Sequence, residues 1–316
     1  MTINALVARE NAVAFESLSE EDLPKDGVLV DVAYSSLNYK DGLAVTRRGK
    51  IVRRFPMVLG IDIAGTTEDG TRVLGTGQGL GESEWGGYAQ RQRVPADAII
   101  PVPDGMSLEQ AMQIGTAGFT AMLCVMALEQ NGVVPSEREV VVTGAAGGVG
   151  SLAVMLLAKL GYRVAASTGR PELEEYLRGL GATSIVPRDE LSAPGAPMQK
   201  ERWAGGVDTV GGTTLANVYA QTAYEGAVAC CGMAASHELH TTVWPLILRN
   251  VSFLGVSSLR TSRAKRIEGW SRLARDVDFD RLASLSRTEP ISRIFELSEQ
   301  ILDGKIRGRV VIDVNA

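Results

Sequence analysis

The sequence predicts an α/β protein of two domains, a doubly wound parallel sheet joined to a smaller, irregular β domain. Three observations carry this. The first hundred residues are short apolar strands broken by glycine turns. From Ser107 onward, helical patterns alternate with short apolar strands. One strand, Glu139 to Thr143, runs through a glycine-rich turn straight into an apolar helix. The 316 residues, 45% apolar and 22% charged, suffice for two hydrophobic cores and have a globular composition.

In chain order, Val28 to Ala33 alternates apolar with other residues as a half-buried strand does. Gly60, Gly65, Gly70, Gly75, Gly77, Gly79, Gly81, Gly86 and Gly87 then punctuate the chain. Ser107 and Gln110 have the spacing of a capping box, and a second helix is expected from about Ala117 until Gly132 stops it. Strands are expected at Val140 to Thr143, Arg163 to Ser167, Ser184 to Val186, Val207 to Val210, Ala227 to Cys231 and Val251 to Val256. Amphipathic helices follow from about Arg260, and a last strand, Arg309 to Val314, is expected to return to the first domain.

Net charge is -5 and the isoelectric point about 5.3, with no dominant basic run, so neither nucleic acid nor an anionic membrane is an expected partner. Any anion site must be local. The longest nearly uninterrupted apolar runs, Phe119 to Leu128 and Leu152 to Ala158, fall short of the roughly 20 residues of a membrane span. The start, Met1-Thr2-Ile3-Asn4, lacks the pattern of a signal peptide, so the cytoplasm is the expected compartment. Cys124, Cys230 and Cys231 form no C-x-x-C pair and read as reduced core residues.

The strongest motif is Gly144-Ala-Ala146-Gly147-Gly148-Val149-Gly150 between the strand at Val140 and a helix closed by Gly161. Glycines let the chain turn sharply and bring backbone close to a pyrophosphate, while the helix N-terminus offers free N–H groups to the phosphates. This is the Rossmann nucleotide turn, with Ala145 at its first glycine position; a plain tight turn is the alternative. The next strand ends in Ser167-Thr168-Gly169-Arg170. Asp or Glu there would accept from the ribose 2′-OH of NAD, whereas hydroxyls and an arginine fork suit a 2′-phosphate, so NADPH is the expected cofactor. Arg188 reaches the same phosphate, stacks on adenine, or pairs with Asp189 or Glu190.

Ser36-Leu-Asn38-Tyr39-Lys40-Asp41, Phe55 to Asp62, Trp85-Gly86-Gly87, Ile114 to Leu123, Gly144 to Gly150 and Ser167 to Arg170 resemble the zinc-independent quinone-oxidoreductase branch of the medium-chain dehydrogenase/reductases. More narrowly, Ile114 to Leu123 with Leu248-Arg249-Asn250 resembles its acrylyl-CoA reductase subgroup. The resemblance runs from about residue 3 to 314. It implies a GroES-like catalytic domain from residues 1–116 and 260–316 around an inserted Rossmann domain from 117–259, usually as a homodimer. It further implies cofactor contacts at Tyr39, Ala146 to Val149, Thr168 to Arg170, Arg188, Met233, Ile247, Ser258 and Arg309. The Thr66 to Leu74 stretch is shorter than in relatives. No zinc ligand set is present, since His237 and His240 stand three apart without a nearby cysteine, so no metal is expected.

Without zinc, the accessible chemistry is hydride delivery to the β-carbon of a conjugated carbonyl compound, with negative charge stabilised on the carbonyl oxygen. Tyr39 is the candidate donor, or else a packed aromatic. Asn38 flanks it, and Asp62 falls in the region where zinc-dependent relatives bind metal, or holds the fold. Arg47, Arg48 and Arg53, with Lys50 and Arg54, form a cluster that meets coenzyme A phosphates or is a solvated, paired loop. Three functions stay open: reduction of a short enoyl-CoA, most simply acrylyl-CoA; quinone reduction; and a cofactor-binding sensor or structural protein without turnover.

Overall fold

The structure, a computed structural model, describes residues 2–316. The chain groups into two compact units. The first holds the residues through Ala117 with Ser258–Ala274 and Leu282–Ala316; the second holds Gly118–Ser257 and Arg275–Arg281.

In the first unit the chain forms β1 (Ile3–Ala8), β2 (Val13–Leu18), β3 (Val28–Leu37), α1 (Tyr39–Val45), β4 (Met57–Val58), β5 (Asp62–Thr67), β6 (Arg72–Thr76), β7 (Arg91–Val94) and β8 (Ile99–Pro101). Helix α2 (Leu108–Gln130) leads out of it. The second unit contains β9 (Val140–Val142), α3 (Gly148–Lys159), β10 (Val164–Thr168), α4 (Glu174–Gly179), β11 (Ser184–Pro187), α5 (Asp189–Ser192), β12 (Trp203–Asp208), α6 (Gly212–Ala220), β13 (Thr222–Cys230), α7 (Trp244–Leu248) and β14 (Ser252–Gly255). The chain ends with α8 (Arg263–Asp276), α9 (Phe279–Leu285), β15 (Ser286–Pro290), α10 (Ile294–Leu302) and β16 (Arg309–Asp313).

The first unit has a small sheet ordered β2-β1-β4 and a larger one ordered β15-β16-β3-β5-β6-β8, with β7 also on β3. The last strand does return: β16 runs antiparallel to β3, Val310 opposite Leu37 and Asp313 opposite Tyr34. Leu6, Val30, Ile63, Val310 and Ile312 fill the core between these elements. The Thr66 to Leu74 stretch is a tight hairpin in which Thr67 and Thr71 pair and Gly70 takes a φ of 84°.

In the second unit every strand pair is parallel and the order is β11-β10-β9-β12-β13-β14. Read by position, that is third, second, first, fourth, fifth, sixth: the doubly wound Rossmann sheet, whose winding reverses between β9 and β12. Val140, Val141 and Val142 are fully buried, as central strands covered on both faces must be.

The predicted capping box is present, with the Gln110 N–H donating to Ser107 Oγ at 3.0 Å and the Ser107 N–H to Gln110 Oε1 at 2.8 Å. The two helices expected on either side of Ala117 meet at Gly115, whose backbone is non-helical, to form α2. Joined, they are long and apolar enough to cross a membrane, which counting uninterrupted apolar runs does not register. The most apolar stretch of α2 is 83% buried inside the fold.

Candidate active site

The nucleotide turn sits at the end of β9, where the winding reverses. Gly144 has a φ of 57°, and its carbonyl accepts from the Gly147 N–H at 2.9 Å. A Cβ at Gly150 would lie 2.3 Å from that carbonyl, so only glycine lets α3 start so close to the strand. Gly147 caps α3, and the Gly148, Val149 and Gly150 amides occupy its first turn, where a helix has donors to spare. This backbone fits a pyrophosphate.

At the tip of β10, Ser167 and Thr168 are buried, and Thr168 Oγ1 accepts from the Arg170 N–H at 3.1 Å. Arg170 folds back to the glycine turn, donating through Nη2 to Ala146 O at 3.2 Å. The Arg188 guanidinium lies over Gly169 so closely that a Cβ there would come within 2.3 Å of its Cζ. Of the readings for Arg188, the ion pair is not formed: Glu190 pairs with Arg202 at 2.9 Å, and Arg188 has no ion pair among the described residues. Two arginines thus converge on one strand tip with a hydroxyl beneath them, a composition suited to a dianionic phosphate. Met233 and Ile247 are exposed elsewhere in this unit.

In the first unit, Tyr39 opens α1 and is 47% exposed, so it is not the packed aromatic of the alternative reading. The residues around it are closed off. Asp62 is fully buried: Oδ2 accepts from Ser36 Oγ at 2.5 Å, Asn38 Nδ2 at 2.9 Å and the Thr116 N–H at 2.9 Å, and Oδ1 accepts from Thr116 Oγ1 at 2.5 Å. Its acceptor sites are filled. Asn38, also buried, spends its amide on Asp62, Ser36 and Asp41 and its Oδ1 on Arg309. Both stand as catalytic candidates in the sequence; in the structure their polar atoms are engaged with one another and with Ser36, Asp41, Thr116 and Arg309.

Arg309 is a second correction. Expected at the cofactor, it is buried, and its N–H groups go to Gln113 O, Leu37 O, Asn38 Oδ1, Ser36 Oγ and Met112 O, leaving none for a ligand. Burial lowers its guanidinium pKa, opposed by the charges of Asp62 and Asp41. Asp41 accepts from the Ile61 and Asn38 N–H groups, yet burial, reinforced by the charge of Asp62, pushes its carboxyl up to about 7. Ser258 is half-buried, its carbonyl packed against Gly77.

The basic cluster divides. Arg47 clasps the β1–β2 turn through Asn11 O and Glu10 O at 2.5 and 2.6 Å, and Arg48 pairs with Glu299. Both guanidiniums have partners within the chain. Arg54 pairs with Glu84, while exposed Arg53 has no side-chain partner among the described residues. Residues that sequence reasoning missed are Ser36, Gly115 and Thr116. The available signal was a glycine inside an apolar helical run.

A two-unit fold of this kind, with a glycine-turn nucleotide site in one unit and a half-exposed tyrosine in the other, defines a medium-chain dehydrogenase/reductase. Family models agree: an alcohol dehydrogenase GroES-like domain matches residues 24–104 and a zinc-binding dehydrogenase domain residues 148–275. The chain is 49% identical over 312 residues to acrylyl-CoA reductase AcuI of Ruegeria pomeroyi, covering 96% of this chain and 94% of that one. A crystal structure of Escherichia coli K-12 YhdH with bound NADPH superposes with a TM-score of 0.95 at 48% identity, over 98% of this chain and 99% of that one. Bacillus subtilis YhfP with NAD bound gives a TM-score of 0.95 at 42% identity, over 99% of each chain. The chain belongs to the acrylyl-CoA reductase family of the medium-chain dehydrogenase/reductases. Among the described residues no three His, Cys, Asp or Glu side chains gather as a metal-binding group.

Proposed function

We propose that the protein reduces the carbon–carbon double bond of a short enoyl-CoA with NADPH, converting acrylyl-CoA to propionyl-CoA. The observation that carries this reading is the 49% identity to a named acrylyl-CoA reductase along nearly the whole chain. The bound cofactor supplies the hydride. The chain's residues do the rest. The glycine turn and the start of α3 seat the pyrophosphate; Thr168, Arg170 and Arg188 take the 2′-phosphate; Met233, Ile247 and Ser258 complete the contacts. The Tyr39 hydroxyl, alone among the side chains of its network in being half-exposed, donates to the thioester oxygen as negative charge develops there. Exposed Arg53, without a side-chain partner among the described residues, takes a coenzyme A phosphate.

The protein acts in the cytoplasm as a homodimer. An open edge supports the dimer: β14 ends the six-stranded sheet, and nearby Tyr224, Trp244 and Leu248 are exposed. A substrate panel with NADPH and NADH, followed by cofactor absorbance, tests the activity. Turnover of acrylyl-CoA with NADPH well above that of small quinones is the expected result; quinone turnover alone would overturn it.

A further inference from the structure

Helix α2 is broken at Gly115, whose φ of 53° and ψ of -162° suit only glycine. In an unbroken helix the Thr116 N–H would donate to Met112 O. Here it donates to Asp62 Oδ2 at 2.9 Å, and Met112 O and Gln113 O receive Arg309 Nη2 at 3.4 Å and Nε at 3.0 Å. A Cβ on Gly115 would lie 2.5 Å from Arg309 Nη2 and 2.7 Å from Asp62 Oδ2, so the kink rests directly on these two side chains. Their carboxylate and guanidinium stand 3.9 Å apart, with Ser36 Oγ linking them.

The same two groups hold the other end of the site. Asp62 accepts from Asn38 Nδ2, and Arg309 donates to Asn38 Oδ1, so both faces of the Asn38 amide are pinned one residue before Tyr39. We propose that Asp62 and Arg309 are positioning residues that lock the Gly115 kink to the Asn38–Tyr39 turn and so fix where the Tyr39 hydroxyl stands. The kink lies two residues before Ala117, the last residue of the first unit on this path. One buried pair therefore sets both the tyrosine and the kink of α2. Neither residue touches a reactant, and their effect on turnover passes through Tyr39.

This inference rests on the reading that the Tyr39 hydroxyl acts on the substrate. Asp62→Asn strikes the whole network and risks folding, so the milder Thr116→Val, which removes one hydroxyl donor to Asp62, keeps the test open. Both are measured with Thr116→Ser, in the unaltered and Tyr39→Phe backgrounds, using whichever of acrylyl-CoA and a small quinone the unaltered protein reduces. Failure of that reading shows separately, as an unchanged kcat in Tyr39→Phe alone. Thr116→Val should lower kcat about tenfold while NADPH affinity stays within about twofold, and Thr116→Ser should restore turnover. In the Tyr39→Phe background the same change should move kcat by less than about twofold. An equal loss in both backgrounds, or a fall in thermal stability with kcat unchanged, would overturn the proposal.

Discussion

Asp41 should make the protein lose stability as the pH rises through neutrality. Its carboxyl is buried at the start of α1 with the charge of Asp62 close by, and together these raise it from the ordinary 3.8 to about 7. The folded chain therefore holds this proton more tightly than the unfolded chain. The stability so gained is fully present below 3.8 and is lost as the pH climbs through about 7. At about 1.4 kcal/mol per pH unit over that window, the loss amounts to roughly 4 kcal/mol. Asp41→Asn cannot ionise. It forfeits a carboxylate oxygen where Asn38 and Ile61 donate, costing about 0.5–2 kcal/mol at every pH, an offset that leaves the slope untouched. Denaturant unfolding at several values from about pH 5 to about pH 8 should show the unaltered protein losing stability relative to the variant. Parallel curves would refute the argument, because they would mean Asp41 is ionised throughout.

Cofactor choice should reside at the tip of β10. Arg170→Ala should raise the KM for NADPH by about tenfold to a hundredfold, as for loss of charged hydrogen bonds, with little change for NADH. Gly169→Ala, which would drive a methyl into the Arg188 guanidinium, should act in the same direction. Arg53→Ala should weaken use of acrylyl-CoA and spare a short thioester lacking the nucleotide, whereas Arg47→Ala should cost stability by freeing the β1–β2 turn and leave that selectivity unchanged. Prolonged chelation followed by elemental analysis should leave activity intact and find no stoichiometric zinc; activity lost and restored by zinc alone would contradict the ligand reading.

The nucleotide-binding unit was legible because its determinants are local. Strand, glycine turn and helix follow one another from Val140 to Leu160, and Gly147 and Gly150 both answer a close approach to the nearby Gly144 carbonyl. The same holds for the Ser107–Gln110 box, which is three residues wide. The tyrosine network was not legible for the opposite reason. Arg309 meets Ser36, Asn38 and Gln113 across 273, 271 and 196 residues of chain, so nothing in its own neighbourhood tells where its five N–H groups go. Asp62 drew notice by its place in a motif, but a motif cannot show that Ser36, Asn38 and Thr116 fill its acceptor sites. Arg47 and Arg48 read as a shared patch because they are adjacent; the positive φ of Arg47, 60°, turns the backbone there and sends the two side chains to different partners.

The central claim is hydride delivery from NADPH to the β-carbon of a short enoyl-CoA, with the proton entering separately at the α-carbon. One measurement meets it directly: reduce acrylyl-CoA with NADPH deuterated at the transferable position, in ordinary water, and locate the label in the product by mass spectrometry and NMR. The account predicts propionyl-CoA carrying deuterium at the β-carbon and solvent hydrogen at the α-carbon. Deuterium at the α-carbon, or no propionyl-CoA while a small quinone is reduced rapidly, would contradict it.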